Sequence, residues 1–111
     1  DLVEADQASL SDGGDATRRW IGQPSSSDAP PWKDLNPIQL RPRCPVIMAH
    51  GTHDLDVPPE MSVACTDAYS SRGVDVTMMS LPGDHYTVID PQHESWREIQ
   101  DVLLERFMLD V

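Results

Sequence analysis

Apolar positions divide the chain into two unlike stretches. Over residues 1–43 they are scattered and hold no regular period. "GGDATRRWIG" predicts a short helix, with Asp15 near its start and Gly22 as its stop. "QPSSSDAPPW" is a polar loop rich in Pro and Ser. "DLNPIQLRPR" predicts extended chain, because Pro37 and Pro42 oppose a helix interior. From residue 44 the pattern sharpens. "CPVIMAH" is a continuous apolar run, the signature of a strand buried on both faces. In "VPPEMSVACTDAYSSRG" Met61, Ala64, Cys65, Ala68 and Tyr69 follow helical spacing, with prolines at the start and Gly73 as the stop. Val74, Val76 and Met78 then alternate like a strand that ends at Pro82-Gly83. In the last stretch Asp90 is the expected N-cap and Pro91 the first helical residue, with Trp96, Ile99, Leu103 and Phe107 as the apolar stripe.

The order strand, helix, strand, helix over 44–111 predicts an α/β fold with parallel strands and flanking helices. A helical crossover places both strand C-termini on one edge of the sheet, and ligands in such sheets bind just beyond that edge. "HGTHD" follows the first strand and "GDHY" follows the second. The two polar clusters are therefore expected to meet. An Asp and a His meeting there suit an orienting carboxylate and a general base. His85 is the expected base, carried on a loop loosened by Gly83, while Asp54 and Asp56 compete for the carboxylate role. A metal site built from His50, His53, Asp54 and His85 is the weaker reading. Its His-x-x-His lies on a turn, away from a helical ligand spacing, and no cysteine joins it. No metal and no cofactor are expected.

Composition narrows the classes. Lys and Arg total 8 against 19 Asp and Glu, a formal net charge of −11. That balance argues against duplex nucleic acid and anionic membrane surfaces as partners, since affinity for either comes from basic residues. The apolar runs are too short to span a bilayer, and no signal-peptide core is present. Cys44 and Cys65 read as small buried hydrophobes, which fits a reducing, cytoplasmic compartment.

"PVIMAHGTHDLDVPPEMS", "GVDVTMMSLPGDHYTVIDP" and "SWREI" together resemble the C-terminal part of an α/β-hydrolase. Within that superfamily the likeness is to esterases and aryl-acylamide or formamide hydrolases of the prolyl-oligopeptidase-like group. Such enzymes carry an apolar strand, then H-G-[ST]-x-D-x-x-V-P, then a helix, a strand, a G-x-H-[FY] loop and a D-P helix start. "DLVEA" and "DLNPI" resemble the stretch that precedes this strand, so the likeness covers nearly the whole chain. It implies that Asp54 is the acid and His85 the base of a Ser–Asp–His triad. Asp56 then occupies a variable position, and Ser62 matches a helix-start serine that is structural in the family. The implied substrate is a small-molecule carboxylic ester, amide or formamide.

One departure from the family pattern stands out. No G-x-S-x-G elbow and no oxyanion-hole H-G-G segment occur in these 111 residues. The chain opens on Asp1, and the expectation is a C-terminal portion of a longer hydrolase with an incomplete sheet. The alternative is a non-catalytic α/β-hydrolase-like binding or interaction module. Other polar and aromatic residues take bland expectations. His50 reads as a structural loop residue hydrogen-bonding the turn, His53 as exposed, Asp84 and His93 as solvated, Tyr86 as a packing or pocket residue. Trp20, Trp32 and Trp96 read as packing residues, with Trp20 and Trp32 in a segment where such enzymes place lid or pocket side chains.

Overall fold

A computed structural model describes residues 1–8, 16–21 and 32–109, with side chains of 17–21 and 32–106 in the latter two segments. Asp15, Gly22 and the side chain of Phe107, each given a place by the sequence pattern, lie outside the described parts. Helices α1 (Leu2–Gln7), α2 (Ala16–Ile21) and α3 (Trp32–Leu35) precede a 3-10 turn at Pro37–Gln39. Then follow β1 (Val46–Gly51), α4 (Pro59–Ser71), β2 (Val76–Leu81), a 3-10 turn at Thr87–Ile89, and α5 (Glu94–Leu109).

β1 and β2 pair in parallel, from Val46 opposite Val76 to Gly51 opposite Leu81. The α/β grammar of residues 44–109 is therefore present. Side chains alternate between the faces of a strand. Val46, Met48 and Val76 pack against Cys65 and Tyr69 of α4 together with Val74 and Ile38, and Met78 Sδ meets Thr66 Oγ1 at 3.6 Å on that same face. On the other face Arg106 of α5 donates to Thr77 Oγ1 at 2.8 Å. The sheet thus sits between α4 and α5.

Gly73 ends α4 with a φ of +79°. Its N–H donates to Ser70 O and that of Val74 to Tyr69 O, each at 3.0 Å. That is a Schellman closure, which accepts glycine because a left-handed residue with a Cβ is strained. Val74 and Tyr69, the pair such a closure brings together, both belong to the core. Tyr69 also donates its hydroxyl to Pro37 O at 2.7 Å, and Arg72 donates to the carbonyls of Ile38 and Leu40. These bonds tie the stretch before β1 to the end of α4.

Several expectations change. Val46–Ala49 are half-buried, not buried on both faces. Among the described residues the sheet has two strands, so each strand has one edge without a neighbour and incomplete cover. Cys44 is exposed, contrary to its reading as a buried hydrophobe, because it precedes β1 outside the packed register; Cys65 is buried in the core.

The stretch expected to be extended begins with α3, a single helical turn, and a 3-10 turn; extended backbone returns at Leu40. α1 had no counterpart in the pattern. Asp1 caps it by accepting from Val3 N and Glu4 N, and buried Asn36 accepts from Leu2 N at 2.9 Å. Asp6 and Arg18 form a paired hydrogen bond between α1 and α2, at 2.9 and 3.2 Å. Trp32 is buried and Trp20 exposed.

α5 starts at Glu94, not Pro91. Asp90 spends its carboxylate on Gln92 N at 2.9 Å, closing a turn. His93 Nδ1 accepts from Ser95 N at 3.1 Å, so an imidazole caps the helix where an aspartate was expected. Ser95 is wholly buried and donates its hydroxyl to Pro82 O, which anchors the helix start beneath the loop after β2.

Candidate active site

Both strands end at the same level, and backbone hydrogen bonds continue the ladder past them. Thr52 N donates to Leu81 O at 2.8 Å and His53 N to Gly83 O at 2.9 Å. Gly51 is where the two loops touch most closely. A Cβ there would lie 2.6 Å from Asp84 O and 2.7 Å from Gly83 O. Only glycine lets the second loop cross the end of β1 at this distance.

Asp54 lies in the tight loop between β1 and α4. Its Oδ1 accepts from Asp56 N at 2.9 Å and from Val57 N at 2.8 Å. An aspartate that accepts from backbone two and three residues on makes an Asx turn, which fixes its own side chain while shaping the loop. Its Oδ2 faces the other loop and accepts from His85 Nδ1 at 2.8 Å. Burial, the largest single influence, pushes the Asp54 carboxyl toward its neutral form. The hydrogen bonds from Val57, His85 and Asp56, with the charge of His85, outweigh it and hold the pKa below the ordinary value.

His85 rides on a loop that is equally constrained. Gly83 adopts a φ of +107°, and a Cβ there would sit 2.1 Å from Thr87 Oγ1. Asp84 is exposed, as expected of a solvated charge, and also accepts from Tyr86 N at 2.9 Å and Thr87 N at 3.1 Å. Tyr86 sets its ring edge-on to His85, with centroids 5.3 Å apart. The side chain of His85 is 40% exposed and that of Asp54 5%. The carboxylate faces protein, and the imidazole opens to solvent through its far side. Because Nδ1 carries the proton shared with Asp54, Nε2 is the unprotonated nitrogen of the neutral ring. Nε2 makes no hydrogen bond among the described residues.

The structure brings Asp54 and His85 together, with the Asp54 carboxylate accepting from the ring while Asp56 contributes its N–H to Asp54. His53 is exposed, with Nδ1 3.2 Å from Thr52 Oγ1; its backbone, not its ring, joins the two loops. His50 was expected to be a structural loop residue hydrogen-bonding the turn. It is a buried residue of β1 that does bond the turn: its Nε2–H donates to Val57 O at 2.9 Å, and Asp54 Oδ2 lies 3.2 Å away. Ser62 Oγ lies 2.5 Å from His50 Nδ1. No spacing rule would have found this contact, because it depends on the loop folding back over the strand end.

Side-chain ligand atoms of Asp54, Asp56 and His85 lie within 4.8 Å of one another. This is not the set of four considered from sequence, since Asp56 replaces His50 and His53. A cation shared by Asp54 and His85 through Nδ1 would have to displace the proton that joins them. Among the described residues no helix is long and apolar enough to cross a membrane. No family model, curated protein or solved structure matches the chain.

Proposed function

We propose that this chain supplies the acid and base of a serine hydrolase of the α/β-hydrolase type, acting on a carboxylic ester, amide or formamide bond of a small molecule. The observation that carries the reading is the 2.8 Å hydrogen bond from His85 Nδ1 to a carboxylate whose other oxygen is held by two backbone N–H groups. That arrangement fixes the tautomer that leaves Nε2 as the base and stabilises the imidazolium formed when it takes a proton. The nucleophilic serine belongs to sequence outside these residues, because none of the serines here sits in a strand–G-x-S-x-G–helix context.

In the proposed reaction His85 Nε2 accepts the hydroxyl proton as the serine oxygen attacks the carbonyl carbon. The imidazolium returns that proton to the leaving oxygen or nitrogen as its bond to carbon breaks, which leaves an acyl-serine. Water then repeats the sequence and releases the acid. General-base assistance of this kind contributes about 10²–10⁴-fold.

The test uses the polypeptide in which these residues follow an in-frame strand–G-x-S-x-G–helix segment. Asp54→Asn and His85→Ala should each remove most turnover of a p-nitrophenyl ester while circular dichroism stays unchanged. An Asp-to-Asn change in a serine protease triad lowers kcat by about 10⁴. Activity retained in either variant would refute the assignment. A start codon directly before Asp1, with no such segment, would favour a binding module.

A further inference from the structure

We propose that His50 is a positioning residue, which with Ser62 locks Asp54 in the one orientation that fixes the tautomer of His85. The inference rests on the acid–base reading above and extends it to a residue pair outside the triad pattern. A carboxylate offers about four lone-pair sites. Asp54 accepts from three N–H groups: Asp56 N and Val57 N at Oδ1, and His85 Nδ1 at Oδ2. His50 Nε2 stands 3.2 Å from Oδ2, and its hydrogen bond to Val57 O at 2.9 Å fixes the loop residue whose own N–H holds Oδ1.

His50 is itself fixed at both nitrogens. Val57 O can only accept, so Nε2 carries a proton and donates it to Val57 O at 2.9 Å. Nδ1 of the neutral ring then accepts the Ser62 hydroxyl proton at 2.5 Å. Ser62 is held in the first turns of α4, where its carbonyl accepts from Thr66 Oγ1 at 2.8 Å. The result is a chain of hydrogen bonds from Ser62 through His50 and Val57 to Asp54 and His85, spanning α4, β1 and both loops. Ser62 is not the nucleophile of this chain. The His50 side chain is 9% exposed, which leaves no open face for an acyl group beside it.

The two imidazoles are therefore held in opposite tautomers, Nε2–H at His50 and Nδ1–H at His85. Free neutral imidazole side chains favour Nε2–H, so the state of His85 is a direct readout of how firmly Asp54 is aimed. Long-range ¹H–¹⁵N spectra of the histidine rings report both, recorded on residues 1–111 at about pH 8.5, above the ordinary histidine range. His50→Gln places an amide N–H near the position of Nε2 and should preserve the Nδ1–H form of His85. His50→Asn is too short to reach Val57 O. It should lower the Nδ1–H to Nε2–H ratio of His85 about tenfold, the factor associated with losing one hydrogen bond.

An unchanged ratio in His50→Asn overturns the proposal. So does an equal fall in His50→Gln, which would mean that the ring matters for its volume alone. If the Asn variant loses its dispersed amide spectrum, Ser62→Ala decides. It should release His50 into mixed tautomers and weaken the His85 preference, and no change at either ring overturns the proposal. Covalent labelling of Ser62 by a fluorophosphonate overturns it too, by making His50 a base. A wild-type His85 without the Nδ1–H form would instead refute the acid–base pairing on which the proposed function stands.

Discussion

Replacing Gly51 by alanine tests whether the two loops are held together as tightly as their geometry implies. The added Cβ would meet Asp84 O at 2.6 Å and Gly83 O at 2.7 Å, both backbone atoms with no side-chain freedom to withdraw. Restoring an ordinary contact of 3.4 Å from 2.6 Å requires the loop after β2 to retreat by about 0.8 Å. That movement would stretch the 2.9 Å bond from His53 N to Gly83 O to about 3.7 Å, beyond hydrogen-bond range. Losing that bond costs about 0.5–1.5 kcal/mol, and the overpacking itself about 1–3 kcal/mol. The same retreat pulls His85 from Asp54. Displacements of about 1 Å at a reacting pair can cost on the order of 10²-fold in rate. Urea denaturation measures the first effect, and the ring ¹⁵N spectrum of His85 the second. Gly51→Ala should lower stability by about 2–4 kcal/mol and loosen the Nδ1–H form of His85. An alanine variant with unchanged midpoint and unchanged His85 signals would refute the close crossing.

Three further outcomes are expected. The pKa of Asp54 lies below its ordinary 3.8 in the folded chain, so its ionised form stabilises the fold above that value, and this contribution is lost as pH falls through the folded value. Urea midpoints of the wild type should therefore drop on acidification through this window, and Asp54→Asn should flatten that part of the profile. Gly83→Ala should destabilise more than Gly73→Ala in thermal melts. Both acquire about 1–2 kcal/mol of left-handed strain, but a Cβ at Gly83 also meets Thr87 Oγ1 at 2.1 Å while at Gly73 the nearest atom is the far end of Arg41 at 3.7 Å. Cys44 should react with a thiol reagent in the native state and Cys65 only on opening of the core, which mass spectrometry of Cys44→Ser and Cys65→Ser variants resolves.

The parallel strand pair and the meeting of Asp54 with His85 were legible in residues 44–109 because they follow from rules of order. A continuous apolar run, a helical repeat and an alternating run dictate strand–helix–strand, and crossover geometry then brings both strand ends to one edge. The choice between Asp54 and Asp56 could not be made from spacing, since both lie in the same loop. In the structure the N–H of Asp56 turns toward Asp54, and it is the Asp54 carboxylate that accepts from the imidazole. α1 and α3 were illegible because helices of six and four residues are too short to display a period. α1 is stabilised instead by its Asp1 cap and by Asn36 across 34 residues of chain.

The displaced start of α5 has the same kind of cause. Asp90-Pro91 is a good local start signal, yet the helix begins where Ser95 can reach Pro82 O and His93 can cap it. The exposure of Cys44 and the half-burial of β1 depend on what covers the sheet, which local pattern does not specify. The sequence alone therefore determined the order of elements and the types of side chain delivered to the strand ends, because both are encoded at short range by periodicity and turn chemistry. Tertiary structure alone decided which nitrogen of His85 faces Asp54, and that His50 and Ser62 stand behind that carboxylate. Each of these rests on contacts between groups that only folding brings within 3.2 Å of each other.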